Sequence, residues 1–335
     1  MKNKVIIIAE AGVNHNGDLD LAKKLIDAAS EAKADYIKFQ TFKTENLVTE
    51  IAEKSHYQKL RTNSISATQF DMLQSLELSH ENHTELIKYC NKKNIKFLSS
   101  GFDLESIDFL ESLNMDLFKI PSGEITNFPY LKKISSLNKP VVLSTGMASI
   151  NDIENALNVL TSNSLTLDKI SVLHCNTSYP TPLKDVNLKA MNYISEKFNV
   201  NVGYSDHTLG IEVPIAAVAL GAIIIEKHLT LDRQMPGPDH FASLEPNEFS
   251  RMVSAINNIS LACKGSGIKE PTESELKNIN SARKSIVAKK DIEKGELFSE
   301  NNLTTKRPGL GISPMNWEEI IGKLSKKKYK KNDLI

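Results

Sequence analysis

The chain has 335 residues, with 41 basic and 41 acidic side chains, so a formal net charge of zero removes the general electrostatic reason to expect nucleic-acid binding. Three scattered cysteines, Cys90, Cys175 and Cys263, make neither a disulfide framework nor a zinc spacing and fit a reduced, cytoplasmic setting. No run approaches the ~18 apolar residues of a membrane span, and the apolar stretch after the N-terminus stops at Glu10, too short for the core of a signal peptide.

Short apolar runs recur at 5–9, 36–40, 95–98, 117–120, 141–143, 172–174, 200–204 and 222–225, and nearly every one ends in polar residues. The first meets Glu10. The second carries Lys38 and Gln40. The third ends in Ser99 and Ser100, and the fourth carries Lys119 and leads to Ser122 and Glu124. The fifth ends in Ser144 and Thr145, and the sixth leads to Asn176. The seventh ends in Ser205, Asp206 and His207, and the eighth in Glu226, Lys227 and His228. Between them, 19–29, 81–93, 105–113, 150–160 and 213–220 have the spacing of amphipathic helices, the first with Asp18 as its N-cap. Alternating strand and helix predicts a parallel sheet, and eight such units close into a (β/α)8 TIM barrel with its chemistry at the strand C-termini.

The interval from 41 to 94 is far longer than one helix needs. Within it 68–76 looks helical and 46–66 lacks strong periodicity, the pattern of a lid, binding loop or contact surface. After a last helix at 249–262, Gly and Pro mark a linker, and a compact β-rich module follows. The expected domains are therefore a barrel over 1–263, a linker over 264–280 and a small domain over 281–335. The basic tail near 323–331 reads either as a solvated face or as an anion-attracting rim.

His207 and His228 follow neighbouring strands, about 4.8 Å apart. Two imidazoles there either converge on one divalent transition metal, such as manganese, cobalt or zinc, or merely hydrogen-bond in the barrel mouth. Lys38 and Lys119 lie inside otherwise apolar strands, where an unpaired charge is costly. An anionic substrate would pair them, and so would a nearby Glu10 or Glu124. Ser99, Ser100, Ser122 and Ser205 add hydroxyls to the same rim, which suits phosphate or carboxylate. Glu124 either enters the mouth or sits in a first helical turn. Glu10, Asn14 and His15 either line the site or precede a plain Asn16-Gly17 turn. Asp239 is either an acid/base or sugar contact, or a turn former. Arg307, before Pro308, either is displayed on a fixed turn of the small module or is plain surface structure.

Taken in order, Ile8-Ala-Glu-Ala-Gly-Val-Asn-His-Asn-Gly17, Lys38-Phe-Gln-Thr-Phe42, Phe118-Lys-Ile-Pro-Ser-Gly-Glu-Ile-Thr-Asn127, Leu143-Ser-Thr-Gly-Met147, Gly203-Tyr-Ser-Asp-His207, Ile225-Glu-Lys-His228, Gly237-Pro-Asp-His240 and Lys306-Arg-Pro-Gly309 resemble the sialic acid synthase family, the phosphoenolpyruvate-dependent synthases of nonulosonic acids. The resemblance spans essentially the whole chain. It implies a TIM barrel followed by an antifreeze-like (SAF) domain, assembled as a domain-swapped homodimer. It implies condensation of phosphoenolpyruvate with an N-acetylated mannosamine-type aldose to give sialic acid and phosphate, or with 2,4-diacetamido-2,4,6-trideoxymannose to give legionaminic acid. The metal on His207 and His228 is expected to be manganese, with magnesium or cobalt as alternatives. Lys38, Ser100, Lys119, Ser122, Asn176 and Ser205 match positions that hold phosphoenolpyruvate. Gln40, Glu124, Asp239 and Arg307 are expected on the sugar, with Glu124, Asp239 and Glu10 as the catalytic carboxyl groups. Two departures stand out: Gly101 where relatives carry proline, and Phe241 where relatives often carry lysine. A non-catalytic carbohydrate-binding barrel and a metal-dependent barrel hydrolase remain the other classes. Neither accounts for two buried lysines beside a histidine pair.

Overall fold

The eight apolar runs all become strands: β1 Ile6–Gly12, β2 Tyr36–Thr41, β3 Lys96–Gly101, β4 Phe118–Ile120, β5 Val141–Ser144, β6 Ile170–Cys175, β7 Asn201–Asp206 and β8 Ile224–His228. The computed structural model describes residues 4–55, 58–59 and 68–335; the part of the expected excursion at 56–57 and 60–67 lies outside the described residues. The strands are parallel and run in the order β3-β2-β1-β8-β7-β6-β5-β4, and β4 returns beside β3 to close a TIM barrel.

Helices cover the outside of the barrel. Helix α1, Leu19–Glu31, starts where the Asp18 carboxylate accepts from the Asp20 and Leu21 amides. It buries Ala22, Leu25, Ile26, Ala28 and Ala29, with Leu21 left at the edge of the stripe. The excursion between β2 and β3 carries α2 Thr44–Leu47, α3 Gln69–Gln74 and α4 His80–Lys92. Further round lie α5 Leu104–Ser112, α6 Phe128–Ser136, α7 Ile150–Leu160, α8 Lys189–Phe198, α9 Glu212–Ala219 and α10 Pro246–Ala262. Neither α6 nor α8 is among the helices expected from periodicity. Helix α6 is nine residues long, opened by Asn127 with proline in its first turn, and α8 has no side-chain cap at Leu188.

The barrel interior is ordered by the two-residue period of a strand. Ile8, Tyr36, Leu98, Leu117, Val142, Leu173 and Ile224 point inward and pack as one apolar cluster. At the matching place on β7 stands Gly203. A Cβ there would lie 2.4 Å from the Ile224 carbonyl oxygen and 2.6 Å from Leu173 Cδ2, so only glycine fits.

The chain divides into two units, Met1–Lys264 and Gly265–Ile335. The stretch read as a linker contains a ten-residue helix, α11 Glu273–Ala282, begun by a reciprocal cap between Thr272 and Glu275. In the second unit, β9 Ser285–Ala288 and β10 Leu303–Lys306 pair antiparallel over a core of Ile286, Ala288, Ile292, Phe298, Leu303 and Tyr329. Among the described residues no helix is long and apolar enough to cross a membrane.

Candidate active site

Two residues beyond the apolar cluster, each strand again points a side chain inward. The result is a polar tier of Glu10, Lys38, Ser100, Lys119, Ser144, Cys175, Ser205 and Glu226, all buried and all lining one cavity of about 340 Å³. Two residues further still come Gln40, Phe102, Thr177, His207 and His228, which line the same cavity closer to its mouth. The β7–β8 ladder pairs Ser205 with Glu226 and Asp206 with Lys227, which brings His207 level with His228. Gly12 keeps the mouth open beside His228. A Cβ there would stand 3.3 Å from Glu10 Oε1 and 3.6 Å from His228 Cε1, and its φ of +51° disfavours other residues.

The tier is a charge network. Lys38 Nζ lies 2.6 Å from Glu10 Oε2 and 3.9 Å from Glu226 Oε2, and donates to Ser100 Oγ at 3.2 Å. Lys119 Nζ donates to Ser144 Oγ at 2.8 Å and lies 3.6 Å from Glu226 Oε1. Ser205 Oγ donates to Glu226 Oε1 at 3.1 Å. Of the carboxylates expected to pair the lysines, Glu10 does so. The other partner is Glu226, which sequence reasoning missed, while Glu124 is held by Asn127 Nδ2 at 2.6 Å instead. Burial pushes the Glu10 carboxyl up to about 7, against the pull of Lys38. Burial opposes ionisation of Glu226 too, but Lys119 and Lys38 outweigh it and hold its carboxyl below the usual range. Burial lowers Lys119. It works against the Lys38 ammonium as well, yet Glu10 and Glu226 keep that group above its ordinary value.

The histidine pair is neutral. Burial lowers His207 to about 4 and, with the neighbouring His207, takes His228 well below its ordinary value. Their ring centres are 5.4 Å apart. His207 Nδ1 shares a hydrogen bond with the Asn176 carbonyl, and the buried Nδ1 of His228 has no hydrogen-bond partner among the described residues. Tyr179 stacks on His207 at 4.1 Å and meets His228 edge-on at 5.6 Å, a contact no strand pattern announces.

The remaining candidates divide. Ser122, Glu124 and Asp239 line the cavity. Ser122 Oγ accepts from the Gly146 amide at 2.9 Å. Burial raises Glu124, and takes Asp239 up to about 6. Asn176 is not among the lining residues; its Oδ1 accepts from the Ser178 amide. Ser99 faces outward to Thr41 Oγ1, which also meets His83, and Asn14 Nδ2 donates to the Leu229 carbonyl and Ser243 Oγ. Gly101 gives its carbonyl to the Tyr130 hydroxyl at 2.7 Å. Pro238 and Asp239 line the cavity, whereas Phe241 does not. Arg307 belongs to the second unit, where its Nε donates to the Ala282 carbonyl at 2.9 Å. Ser144, Cys175 and Glu226 were missed, although the i+2 alternation from Val142, Leu173 and Ile224 points to all three.

The chain is similar to known proteins. Residues 25–269 match the NeuB family and residues 283–335 the SAF domain. The chain is 57% identical to the N,N'-diacetyllegionaminic acid synthase of Campylobacter jejuni subsp. jejuni, over 99% of each chain. It is 48% identical to the enzyme of that name from Legionella pneumophila, over 94% of this chain and 89% of the other. Among solved structures it resembles the N-acetylneuraminic acid (sialic acid) synthetase of Leptospira borgpetersenii, with 36% identity and a TM-score of 0.74 over 83% of this chain and 91% of that one. A barrel built around this lysine–carboxylate floor, continuous with relatives across almost its whole length, belongs to the NeuB family.

Proposed function

We propose that the chain condenses phosphoenolpyruvate with an open-chain N-acylated aldose to give a nonulosonic acid and phosphate, and that the product is N,N'-diacetyllegionaminic acid. The observation that carries this is the stacking of two tiers in one cavity. Lys38 and Lys119 form the floor, and the neutral His207 and His228 lie one step above. Sequence left the acceptor open among N-acetylmannosamine, 2,4-diacetamido-2,4,6-trideoxymannose and a pseudaminic-type sugar. Identities of 57% and 48% to two N,N'-diacetyllegionaminic acid synthases favour the second.

The residues fit a divalent metal. Both imidazoles are buried and neutral, and an orphaned ring nitrogen on His228 is a ligand in waiting. Bound by His207 and His228, manganese, or magnesium or cobalt in its place, would supply Lewis-acid polarisation of the aldehyde oxygen. Asn176 orients His207 through its carbonyl. Lys38 and Lys119 exchange their carboxylate partners for the phosphate and carboxylate of phosphoenolpyruvate, with the Ser100, Ser144 and Ser205 hydroxyls already beside them. That neutralisation holds carbon 3 against the aldehyde carbon, where the new bond forms. Water then adds at carbon 2, and phosphate leaves with cleavage of its bond to that carbon. Burial raises Glu10 to about 7 and Asp239 to about 6, which places both where they can exchange a proton near neutral pH, and Glu124 takes a sugar hydroxyl. A domain-swapped homodimer, in which Arg307 of one copy reaches the acyl group of the sugar bound in the other, completes the proposal.

The test is phosphate release from phosphoenolpyruvate with each candidate sugar, before and after chelation. We expect release with the diacetamido sugar, loss on chelation and return with manganese. His228→Ala should lose manganese binding in a calorimetric titration of the unliganded enzyme. No release with any N-acylated aldose would refute the reaction class, and unchanged metal affinity would refute the ligand pair.

A further inference from the structure

Of the two motifs Asn14-His15-Asn16-Gly17 and Gly237-Pro238-Asp239-His240, only Asp239 enters the proposed reaction. The motifs lie more than two hundred positions apart, yet they follow β1 and β8, which pair side by side in the barrel. The loop after β1 is a run of turns. The Asn14, Asn16 and Asp18 amides donate to the Ala11, Val13 and His15 carbonyls at 2.8, 3.0 and 2.8 Å. His15 Nδ1 accepts from the Gly17 amide at 3.0 Å, and a Cβ on Gly17 would stand 2.5 Å from the Ser75 carbonyl oxygen. This loop is therefore fixed by its own bonds and by close packing.

The loop after β8 is held against it. At its root Leu229 bridges to Leu244, and farther out Asp239 turns its side chain into the cavity. Asn16 grips the chain on both sides of Asp239. Its Nδ2 donates to the Pro236 carbonyl at 3.0 Å, and its Oδ1 accepts from His240 Nε2 at 3.1 Å. The Thr230 hydroxyl meets His240 Nδ1 at 2.7 Å, so one neutral tautomer satisfies both ring nitrogens. Asn14 holds the backbone of Asp239 itself. Its Nδ2 donates to the Leu229 carbonyl and to Ser243 Oγ, both at 2.9 Å, and Ser243 Oγ donates to the Asp239 carbonyl at 2.7 Å. Gly237 permits the approach, because a Cβ there would stand 2.6 Å from His240 Cδ2 and 2.9 Å from Asn16 Oδ1.

Asn14, Asn16, His240 and Ser243 are not among the described residues that line the cavity. Whatever they contribute to the chemistry passes through Asp239. A reacting group on a loop keeps its geometry only when neighbouring bonds lock that loop. We propose that Asn14 and Asn16 are positioning residues for Asp239: the loop after β1 sets where the Asp239 carboxyl stands in the cavity, and so acts on the acceptor sugar without touching it. The inference rests on the role given to Asp239 above and adds what holds that residue in place.

The experiment is a double-mutant cycle in kcat/KM for the 2,4-diacetamido-2,4,6-trideoxy sugar, over wild type, Asn16→Ala, Asp239→Ala and the double variant. Asn16 is half-buried, so Asn16→Ala removes two hydrogen bonds without opening the core. It should lower kcat/KM roughly 10–100-fold, the scale of a misplaced reacting group, with KM for phosphoenolpyruvate unchanged. In the Asp239→Ala background the same change should cost little further. A residue that served only the fold would cost the same in both backgrounds. Ser243→Ala removes the hydroxyl between Asn14 and Asp239 and repeats the cycle, which keeps the test open if Asn16→Ala folds poorly. It should lose several-fold, again only when Asp239 is present. Equal losses in both backgrounds for either substitution would overturn the proposal, and so would wild-type kcat/KM in Asn16→Ala. Wild-type kcat/KM in Asp239→Ala would instead overturn the role given to Asp239, and phosphate release with no N-acylated aldose would overturn the condensation reaction itself.

Discussion

Two ammonium groups buried at the floor of a barrel cost several kcal/mol each unless carboxylates meet them, and Glu10 and Glu226 do so here. The imidazoles solve the same problem by staying uncharged. Burial holds His15, His83, His207 and His240 at about 4, and His228 falls well below its ordinary value. In an unfolded chain each titrates near 6.5. Between these limits the unfolded chain binds protons that the folded one does not. The stabilisation is therefore fully present above about 6.5 and is lost as pH falls toward 4. Glu10 and Asp239, raised to about 7 and about 6, act with the opposite sign: the folded chain holds their protons, so their contribution grows as pH falls through those values. The histidines outnumber them. Urea unfolding of metal-free protein should give a lower midpoint near pH 5 than near pH 7; a midpoint that held or rose would contradict the burial of neutral imidazoles.

At the scale of elements, the outward faces of β7 and β8 carry a second ion pair between the inward tiers. Asp206 and Lys227 are register partners, both fully buried, 2.6 Å apart. Lys227 also donates to the Thr208 carbonyl, and the Thr208 amide and hydroxyl donate to the Asp206 carboxylate at 3.0 and 3.1 Å. This clip joins the two strand ends from which His207 and His228 project. Lys227→Met leaves Asp206 as an unpaired buried charge and should cost about 3–5 kcal/mol in chemical denaturation. The double variant Asp206→Leu, Lys227→Met should recover much of that. A single-variant loss under about 1 kcal/mol would mean that the pair is not a buried clip. Strands of this kind were legible because each is a continuous apolar run covered on both faces. Helices α6 and α8 were not read from periodicity, although α9, shorter and also without a side-chain cap, was. The second apolar cluster, Val13, Phe42, Met72, Leu73 and Leu76, was hidden for another reason. Its members, with Leu47, Val48 and Phe102 packed against them, run from Val13 to Phe102 and are distant along the chain.

At the scale of the whole molecule, the proposed reaction needs more than one barrel. Arg307 lies in the unit Gly265–Ile335, and the cavity lies in the unit Met1–Lys264. Under the domain-swapped proposal, an Arg307→Ala subunit mixed with a Lys38→Ala subunit should regain activity that neither homodimer shows. No recovery after verified subunit exchange would place Arg307 in cis or outside the site. Sequence alone determined the rhythm of eight strands, hence the barrel, and placed Lys38 and Lys119 inside strands and His207 and His228 at strand ends. Tertiary structure alone decided that Glu226 stands between the two lysines and that Asn176 turns to His207. The physical reason is that alternation along one strand tells which side a residue faces. Which residues of different strands share a tier depends on ladder register and closure, and those are set by packing across the whole barrel.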